Sequence, residues 1–125
     1  MYTAALRLPK TRTYLILLKD YLVAQDLEES IAAHDPAAEV IVRQSMASAL
    51  SALEATQQIA CAFVDVEPLH CRASGLADMI RSRGGEVILM GDEAEEKGEA
   101  LGWKVLHRPF SEGLVLAHLA ALGST

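Results

Sequence analysis

The stretch Ile59–Val66, IACAFVDV, is apolar at every position except Asp65. Because it lacks the alternation of a half-exposed strand, the pattern predicts a β-strand that is buried on both faces. Further short runs of aliphatic or β-branched residues, bounded by polar or turn residues, predict more strands. These runs are Thr13–Leu18 (TYLILL), Glu39–Arg43 (EVIVR), Glu86–Met90 (EVILM) and Lys104–His107 (KVLH). Strands of this kind favour a parallel sheet with helices on both faces.

Stretches with apolar residues at helical spacing lie between the predicted strands. They carry Leu22, Val23, Leu27 and Ile31; Met46, Ala49, Leu50 and Leu53; and Leu76, Met79 and Ile80. The final helix is predicted to begin at Ser111, whose hydroxyl can cap free amides, and to end at Gly123. The acidic segment Gly91–Gly102 has little apolar periodicity, so we expect only a ragged turn or two there. Strands that alternate with helices predict one α/β domain over residues 13–125, preceded by a loosely held tail over residues 1–12.

Composition limits the class of protein. The chain has 125 residues, of which 51% are hydrophobic and 22% charged, and this indicates a folded domain. Its apolar runs are too short to cross a bilayer and its first residues lack the apolar core of a secretory signal, so we expect a cytoplasmic protein without a membrane partner. The net charge of −6 argues against binding to nucleic acid. Cys61 and Cys71 do not make a disulfide framework, and the scattered histidines lack the spacing of zinc ligands.

In open parallel sheets, functional groups collect at the carboxyl ends of the strands. The predicted strand ends carry Lys19 and Asp20, then Asp65 and Glu67, then Gly91 and Asp92, and finally Arg108-Pro109-Phe110. We therefore expect carboxylates and a cation to converge at one edge of the sheet, with an ion pair between Arg108 and Asp65. Each acid also has a simpler interpretation. Asp65 is then a turn residue that bonds backbone amides, Glu67 a solvated loop side chain and Asp20 a helix-start residue favoured by the helix dipole.

The chain resembles the receiver domains of two-component response regulators, which have the CheY-like fold. The resemblance spans most of residues 13–122. It rests on the opening YLILLKDYLVAQDLEESI, the segment AFVDV that contains Asp65, the strand EVILM, and the RPF tripeptide at Arg108, where the family usually has KPF. It implies a doubly wound, flavodoxin-like sheet of five parallel strands in the order 2-1-3-4-5, here with a shortened fourth helix. It also implies that Asp65 is the phosphoacceptor and that Arg108 takes the place of the family lysine.

The chain departs from the family pattern at the magnesium site. In the family, two adjacent acidic residues after the first strand hold Mg²⁺, and these positions are matched here by Leu18 and Lys19. A one-residue shift of the alignment would bring in Asp20, with Asp65 and Glu67 as the other oxygen ligands. Because Mg²⁺ needs a near-octahedral shell of oxygen ligands, the resemblance implies a degenerate magnesium site, in which the ammonium of Lys19 either lowers the affinity for Mg²⁺ or fills the site with a built-in cation.

The family's switch residues are also replaced, since its hydroxyl after the fourth strand falls at Gly91 and its aromatic residue at Val105. The first functional hypothesis is a stand-alone receiver-like protein in phosphorelay signalling. Its partners would be a histidine kinase or phosphotransfer protein and a downstream protein. The alternative is a pseudo-receiver that acts independently of phosphorylation, as a protein-binding module or as a homodimer formed through the fifth strand and last helix. In a pseudo-receiver, Lys19 or Arg108 would form an ion pair with Asp65. Neither hypothesis makes the protein an enzyme. An enzyme that used Asp65 as its general base would lack a second catalytic group.

Overall fold

The computed structural model describes residues 11–122, in which five parallel strands form one sheet. The strands are β1 (Thr13–Leu17), β2 (Glu39–Arg43), β3 (Cys61–Val64), β4 (Glu86–Leu89) and β5 (Lys104–Val105). The helices are α1 (Tyr21–His34), α2 (Met46–Glu54), α3 (Pro68–Ala73), α4 (Leu76–Ser82) and α5 (Glu112–Leu122). The order across the sheet is β2-β1-β3-β4-β5, which confirms the predicted doubly wound topology. Most of the predicted tail, residues 1–10, and the predicted helix stop at Gly123 lie outside the described residues.

The two faces of the sheet carry separate apolar cores, because successive side chains of each strand point to opposite sides. In β1, Leu15 packs on the face covered by α2, α3 and α4, whereas Ile16 packs on the face covered by α1 and α5. The same alternation places Ala62 on the first face and Phe63 on the second. All four residues are fully buried, so the middle of the sheet is apolar on both sides, as the continuous apolar runs predicted.

The predicted helical stripes are confirmed except at the start of α1. Leu27 and Ile31 are buried as expected, but Leu22 is 72% exposed. The prediction for Leu22 was wrong because α1 turns Ala24, not Leu22, toward the sheet, and Leu22 lies away from the stripe that Ala24 shares with Leu27 and Ile31. At the other end of the chain, Ser111 accepts a hydrogen bond from the Leu114 amide, which confirms its capping role.

The crossover between β3 and β4 is formed by two short helices, not one. Helix α3 contains His70 and Cys71, in a stretch where the apolar spacing had predicted no helix. The break between α3 and α4 occurs at Gly75, whose φ of +82° is in the left-handed region that favours glycine. No helix within residues 11–122 has the length and apolar character needed to span a bilayer.

The connection between β4 and β5 is short, as predicted for the fourth helix. It consists of a π-helical turn over Ala94–Gly98 followed by a 3-10 turn over Glu99–Leu101. Gly98 allows this connection to lie close to the sheet, since a Cβ there would approach Val105 Cγ2 to 2.7 Å. Trp103 follows with only 6% of its surface exposed, and the guanidinium groups of Arg72 and Arg81 lie 5.9 and 5.1 Å from its ring centre.

Candidate functional site

The site is built where the parallel strands end at the same edge of the sheet. Backbone hydrogen bonds continue the strand pairing by one residue there, with the Asp65 amide donating to Leu17 O at 2.9 Å. The Met90 amide donates to Val64 O at 2.9 Å, and the Leu106 amide donates to Leu89 O at 2.9 Å. The residues that follow β1, β3, β4 and β5 are thereby fixed side by side. The sheet thus brings together the segments that the sequence analysis selected.

A cleft of about 410 Å³ opens between the ends of β1 and β3 and the beginning of α2. Among the residues that line it are Lys19, Ser45, Asp65, Glu67 and His70. Asp65 and Lys19 are exposed, so a molecule from solvent can reach both side chains. Asp20 is absent from the lining although it follows Lys19 directly. The cleft therefore pairs the candidate phosphoacceptor with a lysine in place of an acidic neighbour.

The environment of Asp65 shifts the titration of its carboxyl group. Partial removal of water by the surrounding protein atoms is the largest influence and raises the pKa of Asp65. The positive charges of Arg108 and Lys19 act in the opposite direction, and the negative charges of Asp92 and Glu95 raise the pKa further. The charges of Arg108, Lys19, Asp92 and Glu95 thus all influence the Asp65 carboxyl group. Among the described residues, however, Asp65 forms no ion pair within 4.0 Å.

The structure uses the two other predicted metal ligands as helix caps. Asp20 Oδ1 accepts hydrogen bonds from the amides of Leu22 and Val23 at 3.0 and 3.2 Å, so Asp20 has the helix-start role that we considered as its alternative. Glu67 accepts from the amides of Leu69 and His70 at 3.2 and 2.9 Å at the start of α3. Within residues 11–122, no three His, Cys, Asp or Glu side chains are grouped so that they could share a metal ion. The predicted set of Asp20, Asp65 and Glu67 is therefore not assembled as a ligand cluster.

Arg108 does not form the predicted ion pair with Asp65. Its Nε donates to Glu95 Oε2 at 2.9 Å, its backbone amide donates to the same oxygen at 2.9 Å, and its Nη2 donates to Asp92. The prediction was wrong because β4 lies between β3 and β5, so the acids that follow β4 are closer to Arg108 than Asp65 is. These bonds lower the pKa of Glu95 and raise that of Arg108.

Gly91 and Val105, which the resemblance matched with the family's switch residues, carry neither a hydroxyl nor an aromatic ring. Gly91 has a φ of +104°, and a Cβ there would lie within 3.0 Å of Asp65 Oδ1 and 3.3 Å from Asp65 Cγ. The Asp65 carboxyl therefore occupies the space that a side chain at position 91 would need. Val105, at the aromatic position, is buried in the core.

Sequence analysis missed two parts of this site. The bonds from Arg108 to Asp92 and Glu95 were missed because the acidic run after β4 predicted only a ragged turn or two, whereas Glu95 lies in a π turn and accepts a hydrogen bond from the Arg108 amide in the loop after β5. The contribution of Ser45 and His70 to the cleft was also missed. The signal that could have found Ser45 is its place two residues after the end of β2, a strand that pairs with β1 at the carboxyl edge of the sheet.

No protein-family model and no curated protein sequence matches the chain. Solved structures do match in fold. The chemotaxis response regulator CheY4 of Vibrio cholerae is 16% identical with a TM-score of 0.68, over 90% of this chain and 99% of that one. A response regulator receiver protein from Burkholderia phymatum is 18% identical with a TM-score of 0.68, over 90% and 94% of the two chains. A response regulator from Thermotoga maritima is 14% identical with a TM-score of 0.67, over 93% and 100%. The strand order and these likenesses together show that the chain has the CheY-like fold of response regulator receiver domains.

Proposed function

We propose that this protein is a receiver-like module of two-component signal transduction in which Asp65 accepts a phosphoryl group. The observation that carries the proposal is the place of Asp65, an exposed carboxylate at the carboxyl end of the central strand β3 that opens into a cleft shared with Lys19. The donor would be a histidine kinase or a phosphotransfer protein, and a downstream protein would recognise the phosphorylated form. The likeness in fold supports this role, because the three solved structures named above are response regulators or their receiver proteins.

The chemistry requires an ionised carboxylate as the nucleophile. One Asp65 oxygen forms a bond to phosphorus while the bond from phosphorus to the donor's imidazole nitrogen breaks. The imidazole leaves with the bonding electron pair and takes a proton from water. Because its environment raises the pKa of Asp65, the reactive fraction falls earlier on acidification than it would for an unperturbed aspartate.

The direct test is the intact mass of the protein after incubation with acetyl phosphate. We expect a gain of one phosphoryl group in the wild type and none in Asp65→Asn. Asp20→Asn is the matched control, since asparagine caps helices about as well as aspartate and the acid lies outside the cleft. It should be phosphorylated like the wild type. A folded wild-type sample without any adduct, under every divalent-ion condition tried, would reject the proposal.

A second candidate function is a phosphorylation-independent binding module, and the bonds of Arg108 favour it. Arg108, the cation that matches the family lysine, is already held by Asp92 and Glu95, so its guanidinium is not free to bind a phosphoryl group in the resting structure. The surface of α5 suggests a second copy of the chain as the partner. Leu114 is 38% exposed and Ala117 is exposed beside it, next to the short edge strand β5.

The two candidates differ in their oligomeric state and its response to phosphorylation. A constitutive homodimer through β5 and α5 would sediment as a dimer before any phosphodonor is added, and Leu114→Asp would convert it to a monomer. Glu112→Gln is the control on the same helix, because it keeps the apolar surface. A wild-type protein that sediments as a monomer at all concentrations would remove the dimer from consideration.

A further inference from the structure

The positive charges around Asp65 are not equally available. Arg108 is bound by two carboxylates, Asp92 and Glu95, at the edge beyond β4. Lys19 lines the same cleft as Asp65, is exposed, and has no ion-pair or hydrogen-bond partner within residues 11–122. It is the only lysine or arginine among the described residues that line this cleft. The side chain with a free positive charge next to Asp65 is thus Lys19.

A divalent cation does not fit the residues at this position. Mg²⁺ is bound through several oxygen ligands, and the two other acids near the ends of β1 and β3, Asp20 and Glu67, already accept hydrogen bonds from two backbone amides each. An ammonium group at position 19 would also repel a metal ion held by Asp65. The set of oxygen ligands that the fold family would imply for Mg²⁺ is therefore missing, and the ammonium of Lys19 provides a positive charge at this position instead.

We infer that the Lys19 ammonium supplies the positive charge for phosphoryl transfer to Asp65, so that the transfer proceeds without a divalent cation. This inference rests on the proposed function, because it assigns a residue to the same reaction. Lys19 lies two residues after the end of β1, and at that end β1 is hydrogen-bonded to the residue after β3, since the Asp65 amide donates to Leu17 O. Its flexible stem and three N–H donors let it meet phosphoryl oxygens above the Asp65 carboxylate.

The reaction balances without a metal ion. With acetyl phosphate as donor, an Asp65 oxygen bonds to phosphorus as the bond between phosphorus and the acetyl oxygen breaks, and acetate leaves with the electron pair. The ammonium of Lys19 keeps its proton throughout. It donates hydrogen bonds to the phosphoryl oxygens, over which the negative charge is spread in the transition state, and it offsets the repulsion between those oxygens and the attacking carboxylate.

The test is the initial rate of phosphorylation by acetyl phosphate, measured by intact mass in EDTA and in Mg²⁺. The wild type should react at the same rate in both buffers. Lys19→Ala should lose about tenfold or more in EDTA. Lys97→Ala is the matched control, since Lys97 is an exposed lysine that pairs with Glu93 outside the cleft, and its rate should equal that of the wild type. Lys19→Asp places a carboxylate next to Asp20 and should react only when Mg²⁺ is present.

The outcomes separate the inference from the function on which it rests. A wild type that is phosphorylated only in Mg²⁺ overturns the role of Lys19 and leaves Asp65 as the acceptor. The same holds if Lys19→Ala, shown to be folded by circular dichroism, reacts in EDTA as fast as the wild type. A wild type that takes up no phosphoryl group in either buffer overturns the proposed function and this inference with it.

Discussion

The close approach between Gly91 and Asp65 can be measured as a coupling energy. Gly91→Ala has two costs, because φ is +104° and because the new Cβ would collide with Asp65 Oδ1. A positive φ costs a non-glycine residue about 1–2 kcal/mol. To restore ordinary contact the carboxyl group must turn away by about 1 Å, and leaving its rotamer costs about 0.5–1.5 kcal/mol more. We therefore expect Gly91→Ala to lower the free energy of unfolding by about 1.5–3.5 kcal/mol.

The matched control for this variant is Gly102→Ala. Gly102 has a φ of +92°, and a Cβ there meets nothing within 4 Å, so only the backbone cost of about 1–2 kcal/mol should appear. Urea denaturation followed by circular dichroism gives both values. In the background of Asp65→Ala, the cost of Gly91→Ala should fall to that of Gly102→Ala. If Gly91→Ala costs the same with and without the Asp65 carboxyl, the two groups do not compete for one space and the argument is refuted.

Three further predictions concern titratable groups. Because its pKa is raised in the folded state, ionised Asp65 lowers the free energy of unfolding, so Asp65→Asn should gain stability over the wild type as the pH rises from below the ordinary value of 3.8. A difference in stability that stays constant over this pH range would contradict this. Arg108→Ala should let the pKa of Glu95 rise toward its ordinary value in an NMR titration, since the Arg108 bonds hold it low; an unchanged titration would show that the two groups are not bonded in solution. Burial, followed by the charge of Lys104, lowers the pKa of His118, so the wild type should lose stability relative to His118→Gln as the pH falls below the ordinary value of 6.5, and parallel curves would count against that environment.

The fold could be predicted because its signals are local. The run TYLILL and the segment AFVDV are apolar on both faces, and a strand with that pattern is stable only between two layers of helices. The break at Gly75 was harder to predict, since a glycine inside a helical pattern often costs stability without ending the helix. The exposure of Leu22 depends on how α1 rolls on the sheet, which the spacing of apolar residues does not fix alone.

The candidate site was predicted as a set of strand ends but not as a set of contacts. The strand order places Asp65 and Arg108 at one edge, and this much follows from the topology. Which carboxylate Arg108 binds depends on the path of the chain after β4, where the π turn brings Glu95 to its guanidinium. Sequence spacing carries no information on that path. The same limit applies to Asp20, whose choice between a metal ion and the α1 amides is decided by its backbone conformation.

The environment of Trp103 makes its intrinsic fluorescence a probe of conformational change in this protein. The chain contains one tryptophan, so its emission comes from a single place, the buried indole covered by the guanidinium groups of Arg72 and Arg81. Arg72 lies on α3 and Arg81 on α4, both before β4 in the chain, whereas the Trp103 indole lies after β4 and just before β5. The contact between the guanidinium groups and the indole therefore joins the segments on either side of β4. Any rearrangement that separates them exposes the indole to water and shifts its emission to longer wavelength. A partner that binds at the Asp65 cleft and moves α3 can thus be followed without a label.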